Sequence, residues 1–301
     1  MKKGIGIVLA GLVAVAAFPA FAEEARTCRL TIYSSLPLTT RADGRVSVPE
    51  TVQDKSFSFL GDTGGAVATI GWDQAEEVGL KKQPAGSYFV GIGGRFIDSF
   101  ILTDRFSLGG MTGNSLAVYV EPRGIAGFDG TLSPDMMKHF DVDFDFAHGK
   151  MNLFSQDHCP GKVVYWNNGG AVIIPTQTDR NAHIRIPVVL DGEKITAILD
   201  TGAVTSIMSV RAASFMGIYE SKMKLKDSGG YLRKSRTYSY PFKTLDMGGI
   251  VVNNPHIVIG SNELMGTFDT DMILGMGILR QLHMYIAYGE GKLYLTPASA
   301  N

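Results

Sequence analysis

Cysteine is nearly absent from this 301-residue chain, which holds only Cys28 and Cys159. An even pair reads as one disulfide in an oxidising compartment, the alternative being two buried free thiols. Charge is not in excess either: 28 Lys and Arg stand against 29 Asp and Glu, for a net of −1. The basic residues are scattered, so the basic face that nucleic acid calls for is missing. Long apolar runs are missing too. After the first 22 residues none reaches the ~18 apolar residues of a membrane span. The apolar runs that exist are short and β-branched, and glycine is plentiful at 36 residues. Strands and turns should dominate, giving an all-β chain with a few short helices.

Residues 1–22 read as a secretory signal peptide. Lys2-Lys3 opens it, Ile5 to Phe18 forms an apolar stretch short for a membrane span, and Ala20-Phe21-Ala22 offers a small-x-small cleavage site. The alternative is an uncleaved N-terminal anchor. No cysteine follows the cleavage site to carry a lipid. The expectation is a periplasmic or secreted protein with no stable membrane insertion after cleavage.

Within the rest, Asp-Thr-Gly occurs twice, at Asp62-Thr63-Gly64 and Asp200-Thr201-Gly202, 138 residues apart. Other landmarks repeat at that interval. Val46-Ser47-Val48-Pro49 maps onto Ile184-Arg185-Ile186-Pro187, Gly79 onto Gly217, and Gly91 onto Gly229. Leu108-Gly109-Gly110 and Met247-Gly248-Gly249 match with a slip of one residue. Each copy closes on a similar strand, Gly149 to Leu153 and Gly291 to Leu295. A unit of about 125 residues has been duplicated. The expected organisation is a signal peptide at 1–22, an N-terminal lobe at 23–155, a linker at 156–182 and a C-terminal lobe at 183–301.

Locally, Arg45 to Pro49 and Ser56 to Leu60 alternate in the strand period, as do Ile184 to Leu190 and Lys194 to Leu199 around the hairpin turn Asp191-Gly192. The second strand of each hairpin runs straight into its aspartate. Trp72 to Val78 and Ser209 to Met216 are short helix candidates stopped by glycine. Val90-Gly91-Ile92-Gly93-Gly94, flanked by apolar residues, reads as a hairpin tip.

Two carboxylates brought together cannot both ionise cheaply, so they share one proton. The ionised member can take a proton from a water lying between them while the protonated member hydrogen-bonds the carbonyl under attack. Such a site needs no metal and no cofactor. Thr63 and Thr201 can each donate a hydroxyl to the opposite loop, and Gly64 and Gly202 let backbone amides approach the carboxylates.

These residues resemble the retropepsin-type aspartic proteases, in the two-lobed single-chain form of bacterial periplasmic members. The family motif is matched by Ile198-Leu199-Asp200-Thr201-Gly202-Ala203 with Ser206, and its later apolar-apolar-Gly element by Ile273-Leu274-Gly275. Ile125-Ala126-Gly127 stands as that element in the first copy. The resemblance implies two homologous β lobes related by a pseudo-two-fold axis, with Asp62 and Asp200 as the catalytic pair, their oxygens about 3 Å apart. Thr63, Gly64, Thr201 and Gly202 would support the loops, and Gly91, Ile92, Gly93 and Gly94 would form a flap over a peptide or protein substrate. The implied protein is a monomeric exported endopeptidase; the alternative is a catalytically impaired peptide-binding protein of the same fold. The first copy departs from the motif at Gly61, Gly65 and Ala68. Gly61 and Gly65 add backbone freedom beside Asp62. Pepsin-like relatives carry a hydroxyl residue where Gly65 and Ala203 stand, so activity is expected at mild acidity, roughly pH 5–6.5.

Cys28 and Cys159 bracket the first lobe, and a bridge between them is expected. His139, His148 and the His158-Cys159 pair fit no metal-ligand spacing. Asp141, Asp143 and Asp145 alternate with apolar residues and read as a strand with one wet face.

Overall fold

The computed structural model describes residues 29–91, 95–226, 236–265 and 268–298. Cys28, Ile92, Gly93 and Gly94, and the second glycine-rich stretch from Asp227 to Arg233, lie outside the described residues.

Each copy builds a ten-stranded sheet in which the strands follow the same order. The framework of each is a hairpin, Val46–Val52 with Lys55–Gly61 in the first copy and Ile184–Leu190 with Glu193–Leu199 in the second. Tight turns with positive φ close both, through Gln53-Asp54 and Asp191-Gly192. Asp191 holds its turn by accepting from Lys243 N at 2.8 Å and Thr244 N at 2.9 Å. Alternation along these strands buries Val46, Val48 and Val52 in one lobe and Ile184, Ile186, Val188 and Leu190 in the other.

A third, six-stranded sheet joins the halves. Its order runs Ile32–Pro37, Lys150–Phe154, Asp141–Asp145, Leu282–Ala287, Lys292–Pro297, Val172–Pro175. The central pairing, Asp141–Asp145 against Leu282–Ala287, is antiparallel and carries Val142 opposite Ile286. Val172–Pro175, from the stretch between the repeats, becomes an edge strand of this sheet. The lobes are therefore continuous through shared backbone hydrogen bonds.

Helices are few and short. Trp72–Glu77 ends before Gly79 at φ +69°, and Val210–Phe215 before Gly217 at φ +71°. Ser209 caps the latter, accepting from Ala212 N at 3.0 Å.

Two expectations change. The strand behind the first Asp-Thr-Gly loop is Gly130–Leu132, parallel to Lys55–Gly61, whereas Ile125 makes only an isolated bridge to Phe128. Leu132 O accepts from Asp62 N and Leu274 O from Asp200 N, each at 2.9 Å, so Leu132 is the true counterpart of Leu274. The repeat interval has lengthened by this point, and Ser133 stands where the second copy has Gly275. The second change concerns Asp141–Asp145, whose expected wet face is covered. Asp141 and Asp143 are fully buried, and residues from the stretch after the first repeat lie over them. His158 Nε2 lies 2.6 Å from Asp141, and Tyr165 donates to Asp143 at 2.6 Å. His283, from the other half, meets Asp143 at 2.6 Å. Burying a carboxylate requires such partners.

Candidate active site

Asp62 follows Lys55–Gly61 and Asp200 follows Glu193–Leu199, so two rigid central strands deliver the two carboxyl groups to one place. There each carboxyl packs against the glycine of the opposite loop, Asp200 against Gly64 and Asp62 against Gly202. Backbone amides support them from their own loops. Gly64 N donates to Asp62 Oδ1 at 3.0 Å, while Gly202 N and Ala203 N donate to Asp200 Oδ1 at 2.9 Å.

The threonines interlock the loops reciprocally. Thr63 Oγ1 donates to Leu199 O at 2.8 Å and accepts from Thr201 N at 3.0 Å. Thr201 Oγ1 donates to Gly61 O at 2.6 Å and accepts from Thr63 N at 3.0 Å. Both threonines are fully buried. All four bonds cross between the halves, so the relative position of the carboxyls does not depend on flexible side chains. The glycines are sterically required. A Cβ on Gly64 would lie 2.3 Å from Asp200 Cγ, and one on Gly202 2.4 Å from Asp62 Oδ1.

Burial, followed by the charge of Asp62, pushes the Asp200 carboxyl well above the usual aspartate range. Burial also raises Asp62, but the amide of Gly64, the bond to Asp200 and the charge of His183 work against that rise. Both carboxyls are thereby raised, and the pair holds a proton above the ordinary aspartate range. A shared proton between one acid and one base is what activation of a bound water requires.

Several residues of this site carry no motif. Ser133 Oγ occupies the space beside Gly65, 2.3 Å from where a Cβ on that glycine would stand. Asp135 accepts from Ala68 N at 3.0 Å, bracing the first loop where the second uses Ser206, which accepts from Gly275 N at 3.0 Å. His183 Nε2 lies 3.1 Å from Gly65 O, and its Nδ1 lies 2.8 Å from Asp179. The lengthened interval between the closing strands is the signal that would have aligned Ser133 with Gly275. Nothing local distinguishes His183, whose partner is 118 residues away.

The flap residues are only partly placed. Lys82–Gly91 and Arg95–Thr103 form an antiparallel hairpin with Gly91 opposite Arg95, while Ile92, Gly93 and Gly94 lie outside the described residues. Of the cysteines, Cys28 lies outside them as well, and no described cysteine is free.

Comparison with known proteins follows the same division into halves. A family model described as aspartyl protease matches residues 48–135, and one described as gag-polyprotein putative aspartyl protease matches residues 186–281. No curated protein matches the chain. Among solved structures, the aspartic proteinase from Irpex lacteus aligns with a TM-score of 0.57 at 14% identity, covering 88% of this chain and 97% of that one. Basic 7S globulin from soybean aligns at 0.53 and 8% identity, covering 90% and 96%. A retropepsin-like aspartic protease from Rickettsia conorii aligns at 0.32 and 22% identity, covering 42% of this chain and 89% of its own. The two high-coverage alignments establish the two-lobed fold, and the two family models fall on the two Asp-Thr-Gly loops. The chain is a member of the retropepsin-like aspartic protease family.

Proposed function

We propose that the protein is an exported endopeptidase that hydrolyses peptide bonds with a water activated between Asp62 and Asp200. One observation carries this reading: four reciprocal hydrogen bonds lock the two Asp-Thr-Gly loops together, with each carboxyl packed against the opposite loop's glycine. The ionised carboxyl takes a proton from the water as it adds to the amide carbon, and the protonated one donates to the carbonyl oxygen. The roles then reverse to protonate the leaving amine. Thr63, Gly64, Thr201 and Gly202 hold the geometry, and the hairpin carrying Gly91 to Gly94 closes over an extended peptide. The glycine-rich first loop does not favour a merely binding role, since Ser133 fills the space beside Gly65.

Activity requires one proton on the pair, so it appears as pH rises through the first ionisation and is lost at the second. Both carboxyls are raised, which moves this window upward, in the direction of the mild acidity expected from the missing hydroxyls at Gly65 and Ala203. Purified protein is expected to cleave a mixed peptide library, and Asp62→Asn and Asp200→Asn each to abolish cleavage. Full activity in either variant sinks the mechanism, and an optimum below about pH 3.5 sinks the pH argument alone.

The reading extends to residues 1–22 as a cleaved signal peptide, a periplasmic or secreted monomer, and a Cys28–Cys159 bridge. Support for the bridge comes from the absence of a free thiol at Cys159. Closing a loop of this length would contribute roughly 4–5 kcal/mol in the chain-entropy account. Intact mass of protein recovered from the periplasm, with and without reductant, tests cleavage and bridge together: two free thiols or an uncleaved N-terminus overturns the respective part.

A further inference from the structure

The duplication invites a symmetric catalytic pair, yet the surroundings of the two aspartates differ at one backbone carbonyl. In the second loop Ala203 O accepts from Met276 N at 2.8 Å. The equivalent carbonyl of the first loop is Gly65 O, and the residue equivalent to Met276 is Pro134, which has no N–H to offer. The missing donor comes from the other half: His183 Nε2 lies 3.1 Å from Gly65 O. The imidazole is 2% exposed, with its other nitrogen 2.8 Å from Asp179 Oδ2. Both ring nitrogens therefore face acceptors, a carbonyl and a carboxylate, and only the doubly protonated ring donates to both. Arg185, 3.6 Å from Asp179, and the edge of Phe268, with ring centroids 4.8 Å apart, complete the surroundings of this ring. In the first copy the corresponding residue, Arg45, turns away. It binds Asp43 at 2.7 Å and lies 4.8 Å over the Phe128 ring.

We propose that His183, held by Asp179, is a positioning residue that makes Asp62 the ionised member of the pair and leaves the shared proton on Asp200. The inference rests on the aspartic-dyad reading above and adds to it a fixed assignment of base and acid. A buried cation bonded to the loop of Asp62, with none in the matching position at Asp200, favours charge on Asp62. The direction agrees with Asp62 itself, which burial raises and the charge of His183 works to lower. It agrees also with Asp179, held below the ordinary range by His183 against the effect of burial. The charged groups around His183 are Asp179, at 2.8 Å, and Arg185, which lies 3.6 Å from Asp179. Asp135 braces the same loop through Ala68 N.

The test is a carbon-13 titration of the processed chain labelled at aspartate carboxyls, with the two signals assigned by their loss in Asp62→Asn and Asp200→Asn. In the wild type, Asp62 is expected to ionise first and Asp200 to stay protonated through the active range. His183→Gln keeps an amide donor for Gly65 O but removes the charge. It should move the Asp62 step, and the acid limb of kcat against pH, upward by roughly half a unit or more. An Asp200 signal that ionises first overturns the assignment, whether or not the variant folds. A His183→Gln enzyme with reduced kcat but both steps unmoved shows that His183 only replaces a backbone donor, and overturns it too. Cleavage surviving in the Asn variants would defeat the protease mechanism and leave the order of ionisation standing.

Discussion

Gly65 and Ser133 divide, in the first loop, the space that Ala203 and Gly275 divide in the second. A Cβ on Gly65 would lie 2.3 Å from Ser133 Oγ, and a Cβ on Gly275 would lie 2.7 Å from Ala203 O. At Gly275 the enclosing atoms are backbone of Ala203 and Thr205, whereas at Gly65 the nearest belongs to the Ser133 side chain. The hydroxyl of Ser133 is tied back, donating to Thr131 Oγ1 at 3.3 Å, which in turn meets Thr69 Oγ1 at 2.9 Å. Gly65→Ala alone should therefore overpack a buried site, costing about 1–3 kcal/mol and lowering kcat by displacing Asp62. Gly65→Ala with Ser133→Gly reproduces the second copy's pairing and should recover most of both losses. Urea unfolding and kcat of the three variants form a double-mutant cycle. An additive double variant would show that the two positions do not share this space.

At the scale of the element, the strand Val46–Val52 carries an uncompensated carboxyl. Glu50 is 1% exposed, and neither of its side-chain oxygens has a hydrogen-bond partner among the described residues. Alignment on Pro49 and Pro187 makes its counterpart Val188, which is 2% exposed and apolar. Burial raises Glu50 well above its ordinary 4.5, so the folded protein holds it neutral. A raised folded-state pKa contributes stability that is full below about 4.5 and is lost as pH climbs through the folded value. Across that window the wild type should lose about 1.4 kcal/mol per pH unit relative to a neutral side chain. Glu50→Gln should then match the wild type near pH 4 and exceed it near pH 7 in urea unfolding. Equal pH dependence in the two proteins would place Glu50 outside the titration. The same sign, an advantage at acid pH, applies to Asp62 and Asp200 and to Asp135, which burial also raises.

For the whole molecule, the consequence of the six-stranded sheet is that the lobes share a core. Leu282–Ala287 is buried along its whole length, sealed on one edge by Asp141–Asp145 from the other half. Polar contacts cross the same seam. His283 meets Asp143 at 2.6 Å and stacks on Trp166 with ring centroids 4.3 Å apart, and Trp166 Nε1 donates to Thr296 Oγ1 at 3.0 Å. Removing His283 leaves Asp143 buried with only Tyr165 and Asn152 as donors. His283→Ala should cost roughly 3 kcal/mol, the low end for a broken buried pair. Because the sheet is common to both halves, the loss should appear in one cooperative transition seen equally by fluorescence and circular dichroism. Two separated transitions would show that the lobes unfold independently.

Much of the site was legible in the sequence because its chemistry is local. Asp-Thr-Gly needs its residues adjacent, and the alternation of Ile184 to Leu190 follows from the pleat of a single strand. Duplication then marked both copies, so the two-unit organisation could be read from spacing, while the family came from the resemblance of the motifs. Other features required the folded chain. Periodicity placed Asp141 and Asp143 on one face but could not say that His158, Tyr165 and His283 would cover it. The apolar-Gly pattern pointed to Ile125-Ala126-Gly127, while strand pairing selected Gly130–Leu132, because backbone hydrogen bonds read position and not side-chain type. The difference between the aspartates was set by packing across long sequence separations: Pro134 withholds an N–H, and His183, which no motif marks, supplies one from the opposite half. A side chain's identity fixes which bonds it can make; only the tertiary structure decides which groups come near enough to make them.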